Sequence, residues 1–133
     1  VFVAEDDSRL SEMAARALNL AGYDVTTAPD GRAALQLVRS RSFDILVTDL
    51  TMPQLSGDAL ALAVRSERPR LPVVLMTAAP DAIRGDLTSA TVLKKPFALD
   101  ALVAAVEDAQ ARGRRGKPER LDESEGAGAR RRF

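Results

Sequence analysis

The chain has 133 residues with 19 basic and 19 acidic side chains, so it is neutral overall and has room for one compact domain around a single hydrophobic core. It contains neither cysteine nor histidine, which excludes disulfides, thiolate nucleophiles and imidazole bases or ligands. Any chemistry must run on carboxylates, hydroxyls, lysine or a bound hard cation. The neutrality hides an asymmetry: residues 1–112 carry 12 basic against 15 acidic side chains, and residues 113–133 carry 7 against 4.

The chain opens inside an apolar run, Val1 to Ala4, without a leading Met. That start is expected of a fragment or of a chain lacking a few leading residues. Nothing there resembles a cleavable signal sequence, and the longest apolar stretches are too short to span a bilayer, so a soluble cytoplasmic protein is expected. Glu5, Asp6 and Asp7 follow the run. Leu10, Met13, Ala14, Ala17 and Leu18 then recur at helical spacing. With Asp7 and Ser8 as candidate N-caps and Gly22 as the stop, a helix is predicted over residues 8–20.

Asp24 to Ala28 is a second, more polar run and reads as an edge strand. Asp30-Gly31 opens a second helix through Ala34, Leu35 and Val38, and Ile45 to Thr48 is a third strand running into Asp49. Gly57-Asp58 opens a third helix through Leu60, Leu62, Ala63 and Val64, stopped before Pro69; Val73 to Met76 is the fourth strand, ending at Thr77. Between Pro80 and Ser89 apolar residues are few and a Gly stands at position 85, so the fourth helix is expected to be short or irregular. Thr91 to Leu93 is the fifth strand, Lys94-Lys95-Pro96 follows it, and Leu99, Leu102, Val103 and Val106 mark a last helix up to Gly113. Residues 113–133 hold almost no apolar side chains and are expected to be a disordered basic tail or linker.

This alternation of short apolar runs and helical patterns is the rhythm of a parallel α/β sheet covered on both faces. Glu5, Asp6, Asp49, Thr77 and Lys95 each stand at or just beyond the end of a strand-like run, where open sheets of this kind gather their functional side chains. They read as one phosphoryl-transfer site. Each also has a plain structural account. Carboxylates before a helix favour its positive end, and threonine commonly ends strands. Lys94 reads as a surface charge and Phe97 as core packing.

The motifs V-A-E-D-D-S, V-T-D-L-T-M-P followed by Ser56-Gly57, V-V-L-M-T-A and K-K-P-F appear in this order, each after a strand-like run. Together they make residues 1–112 resemble the receiver domain of two-component response regulators, including those of hybrid histidine kinases. The resemblance implies a flavodoxin-like doubly wound five-stranded sheet of order 2-1-3-4-5. It implies that Asp49 accepts a phosphoryl group from a phosphohistidine on a histidine kinase or histidine phosphotransfer protein, with Thr77 and Lys95 assisting. Mg²⁺ would be held by Asp6 and Asp49 directly, by Glu5 through water and by the backbone carbonyl of Thr51. Such a domain is not a conventional enzyme, because the acceptor is its own side chain.

Residues 113–133 are too few to be expected to form a DNA-binding domain, so output is expected through an unidentified protein partner or through domains outside this sequence. A homodimer is open, because Ala101, Ala104, Ala105 and Ala109 give the last helix a small-residue face. Three departures stand out. Val92 occupies the position where most receivers carry a switching Tyr or Phe, and the segment from Thr77 to Lys95 is short. Thr51 and Ala79, which flank the approach of a hydrolytic water, offer no group to orient it, so slow self-dephosphorylation is expected. The alternatives are a receiver-fold interaction module that is not phosphorylated and a phosphohydrolase with an aspartyl nucleophile. The second lacks the usual acid two residues after the nucleophile, where Thr51 stands.

Overall fold

A computed structural model describes residues 1–83, Leu87 and 90–115, with no account of the side chains of residues 114 and 115. Five short strands alternate with helices: β1 (Phe2–Ala4), α1 (Ser8–Leu20), β2 (Thr26–Ala28), α2 (Gly31–Ser40), β3 (Leu46–Asp49), α3 (Gly57–Glu67), β4 (Val73–Thr77), β5 (Thr91–Lys94) and α4 (Leu99–Arg115). All strand pairings are parallel and the sheet order is β2-β1-β3-β4-β5, as the resemblance implied. The polar β2 is an edge strand, as its composition suggested.

The central strands are buried on both faces, which is why, apart from Thr48, Asp49 and Thr77 near their carboxyl ends, their sequences are apolar rather than alternating. Phe2, Leu46, Val73 and Leu75 pack with Ala34 and Val38 of α2 and Leu60, Ala61 and Val64 of α3 on one face. Val3, Val47, Val74 and Met76 pack with Ala14 and Leu18 of α1 and Leu102, Val106 and Ala109 of α4 on the other. Truncating one such large side chain to Ala costs on the order of 2–5 kcal/mol, so these two layers hold the strand ends in register.

The caps follow from local chemistry. Asp7 is the N-cap of α1, its Oδ1 accepting from the amides of Arg9 and Leu10, which leaves Ser8 as the first helical residue. Gly22 adopts φ 102° just after α1, a conformation that favours glycine.

Two expectations for the last helix need revision. The last helix does not stop at Gly113 but continues to Arg115, so the expected boundary after residue 112 falls within a helix. Gly113 is there for packing: a Cβ at this position would meet Pro72 Cγ at 2.5 Å, so only glycine lets α4 lie so close to that loop. The small-residue face of α4 is also split, with Ala109 buried in the core and Ala104 exposed. Between β4 and β5 the described residues show a single 3-10 turn at Pro80–Ala82, the short element expected there. Residues 84–86, 88 and 89, and the proposed tail from residue 116 onward, lie outside the described residues.

Candidate functional site

The parallel sheet delivers every strand's carboxyl end to one edge, and β1 and β3 are hydrogen-bonded neighbours. Asp49, the last residue of β3, therefore stands beside Glu5, which directly follows β1. Glu5 is 2% exposed and Asp49 7% exposed, whereas Asp6 is open to solvent. One carboxylate oxygen from each of Glu5, Asp6 and Asp49 lies within 4.8 Å of the others. Two unit charges at about 4 Å repel by about 4 kcal/mol at an effective dielectric near 20, so this cluster demands positive charge.

Part of that demand is met by Lys95. Its Nζ stands 3.2 Å from Glu5 Oε1 and 3.2 Å from Asp49 Oδ1, bridging the two buried acids. Burial works against the ammonium, but the hydrogen bond and charge of Asp49, joined by Glu5, outweigh it and hold the Lys95 pKa above its usual value. Glu5 has its pKa raised: burial is the main cause and the Asp49 charge adds to it, while the Asp7 amide and Lys95 oppose it. That amide donates to Glu5 Oε2 at 3.0 Å, so both oxygens of Glu5 are engaged. The donor set is all oxygen, partly buried and short of cation, which suits a hard divalent ion over a soft metal.

Thr77 ends β4 on the neighbouring strand and is buried. Its Oγ1 accepts from the Ala79 amide at 2.9 Å, and its carbonyl accepts from the Lys95 amide at 2.8 Å, tying the end of β4 to the residue after β5. The Lys95–Pro96 peptide is cis. Lys94 is exposed, and Phe97 packs partly buried against the α1/α4 layer, in keeping with their plain readings. Thr51 lies exposed two residues beyond Asp49, in the loop joining β3 to α3. The structure thus brings Glu5, Asp6, Asp49 and Lys95 together and sets Thr77 on the adjoining strand end.

Two residues beside the acids were not singled out for this role by sequence reasoning. Thr48, fully buried in β3, donates its hydroxyl to the Asp49 carbonyl at 3.0 Å. Gly57 opens α3 as expected, and a Cβ there would also collide with the backbone of Asp49 and Leu50. The available signal was a polar residue inside an apolar strand immediately before an acid.

A doubly wound parallel sheet with acids, a lysine and a threonine converging on its carboxyl edge defines a protein that works at that edge. The sequence model of the response regulator receiver domain matches residues 1–107. The chain belongs to this family, the receiver domains of two-component systems. It is 36% identical over 108 residues to the probable transcriptional regulatory protein TcrX of Mycobacterium tuberculosis, covering 77% of this chain and 46% of TcrX. With the DNA-binding transcriptional regulator NtrC of Escherichia coli it shares 38% identity over 113 residues, covering 82% of this chain and 24% of NtrC. It therefore spans about half of one relative and about a quarter of the other. The solved receiver domain of the Francisella response regulator 1452 superposes with a TM-score of 0.75 at 30% identity, covering 84% of this chain and 95% of that one.

Proposed function

We propose that this receiver domain accepts a phosphoryl group on Asp49 from a phosphohistidine of a partner histidine kinase or phosphotransfer protein. The observation that carries the reading is Lys95, whose ammonium lies 3.2 Å from both Glu5 and Asp49 within a cluster of three acids. In the transfer, an Asp49 carboxylate oxygen attacks phosphorus in line, the phosphorus–nitrogen bond breaks, and an acyl phosphate forms as imidazole leaves and takes up a proton.

Lys95 pairs with Asp49 at rest and with a phosphoryl oxygen afterwards, so the cation is in place before charge develops. The Thr77 oxygen already accepts from the Ala79 amide, which leaves its O–H free to donate to a second phosphoryl oxygen. Glu5, Asp6 and Asp49, with the Thr51 carbonyl, would hold Mg²⁺. The ion would neutralise charge on the acids and on the transferring group. Asp6, the exposed acid, is the one through which the cluster meets solvent.

On this reading the domain is a phosphorylated switch of the cytoplasm rather than a conventional enzyme. It serves either as a stand-alone regulator or as the receiver of a hybrid kinase, and its output goes to a protein partner. Among the described residues no helix is long and apolar enough to cross a membrane.

The test is intact mass after exposure to acetyl phosphate, with and without Mg²⁺, beside Asp49→Asn. A single phosphoryl gain that requires both Mg²⁺ and Asp49 is expected. No gain, together with no Mg²⁺ binding by titration, would favour the interaction module that is not phosphorylated.

A further inference from the structure

Thr48 is the one fully buried residue of β3 with a polar side chain, set among Leu46, Val47 and the apolar layers on either face. A buried hydroxyl must find a partner or cost about 1–3 kcal/mol. Thr48 donates to the carbonyl of the next residue, Asp49, at 3.0 Å; the Met52 sulfur, at 4.0 Å, is the weaker alternative acceptor.

That carbonyl belongs to the Asp49–Leu50 peptide, whose other polar end is also tied. The Leu50 amide donates to the Met76 carbonyl of β4 at 2.9 Å, and the Leu50 carbonyl accepts from the Gly57 amide at 2.7 Å. Gly57 packs against the same Asp49 carbonyl so closely that no side chain fits between them. The peptide plane after Asp49 is thus held by hydrogen bonds at both ends and by a backbone contact. Its orientation fixes the last torsion of Asp49, and with it the path of the chain toward Thr51.

We infer that Thr48 is a positioning residue, whose buried hydroxyl locks the Asp49–Leu50 peptide so that the Asp49 carboxylate and the Thr51 carbonyl are presented together. The inference rests on the phosphoacceptor reading of Asp49. Thr48 touches neither phosphoryl group nor metal. Its effect passes through the backbone, and a misplacement of about 1 Å at a reacting atom is enough to slow transfer by orders of magnitude.

The experiment compares wild type, Thr48→Val and Thr48→Ser. Valine keeps the shape of threonine and removes the hydroxyl; serine restores the hydroxyl and removes the methyl. Phosphoryl gain from acetyl phosphate is followed by intact mass to separate KM from the rate at saturation, and Mg²⁺ affinity is measured by titration on the same folded samples.

Thr48→Val is expected to lower the saturating rate about tenfold with KM little changed and to weaken Mg²⁺ binding about threefold, while Thr48→Ser recovers most of both. A valine variant with the wild-type rate and affinity overturns the inference, even if its melting temperature falls. So does a serine variant as impaired as valine, because packing would then explain the loss. If wild type gains no phosphoryl but binds Mg²⁺, the affinity comparison alone decides. A wild-type chain that does neither overturns the reading of Asp49 itself, and this inference with it.

Discussion

The two edges of the sheet handle charge in opposite ways. At the carboxyl edge three acids converge on one lysine and remain short of positive charge. At the amino edge a cleft of about 570 Å³ is lined by Phe43, Asp44, Arg68, Pro69 and Pro72, among others, and its charge is spent on the fold. Arg68 donates to the carbonyls of Val38 and Arg41, satisfying the end of α2, and its guanidinium stacks 4.5 Å from the Phe43 ring centre. A charge that ends on backbone carbonyls and an aromatic face is doing structural service. Charges of one sign left facing each other beside solvent are poised for something that is yet to arrive.

That contrast can be broken first at Lys95. Replacing it with Ala should slow phosphoryl gain from acetyl phosphate about a hundredfold, as removing one preorganised donor does elsewhere, while the chain stays folded. A rate within threefold of wild type would end the case for the lysine. The counterpart at the other edge is Arg68→Ala, expected to cost about 2 kcal/mol in denaturant unfolding through two lost hydrogen bonds and the stacking. It should leave the phosphorylation rate unchanged, and a slowed rate would erase the division between the edges.

Thr51 and Ala79, exposed two residues beyond Asp49 and Thr77, offer a finer probe. Thr51→Asn together with Ala79→Glu should speed loss of the acyl phosphate about tenfold by orienting the attacking water, read from the decay of the phosphorylated mass. No acceleration would remove the argument from those two positions. Of similar size is the effect of Mg²⁺ on stability: at ten times its dissociation constant the ion should add about 1.4 kcal/mol, raising the melting temperature by about 5 °C. Asp6→Asn should abolish that gain, and Arg68→Ala should keep it.

The smallest effect belongs to Gln54, which holds φ 74° in the loop after Asp49, a conformation that costs a residue with a side chain. Gln54→Gly should relieve the strain and stabilise the chain by about 0.5 kcal/mol in the same denaturant assay. A loss of stability would mean that glycine's extra freedom in the unfolded chain outweighs the strain.

Much of this architecture was legible because it is written in composition. Strands buried on both faces are apolar along most of their length, and Val73 to Met76 or Ile45 to Val47 cannot be mistaken for solvent-facing segments. The site was legible because acids, threonine and lysine fall at the ends of those runs. Their convergence depends on the strand order, which the family resemblance supplied and periodicity alone did not.

The misreading of Gly113 has a physical origin. A glycine that ends a helix and a glycine that lets a helix lie against a loop look alike in one dimension, and only the position of Pro72 separates them. Thr48 was passed over for a related reason. Threonine is at home in strands, and nothing local reveals that its hydroxyl turns to the carbonyl ahead of it. Gln54 sits where glycine or asparagine would have announced a left-handed turn, so its backbone could not be foreseen.

On the phosphoacceptor reading, the course of α4 sets how far a signal from Asp49 has to travel. The helix leaves the carboxyl edge shortly after Lys95 and passes the amino edge where Gly113 meets Pro72, and its 17 residues span about 25 Å. Arg115, the last described residue, therefore lies toward the pole opposite the acids. On the phosphoacceptor reading, β5 and α4, which touch each other, offer a direct mechanical link between the two poles.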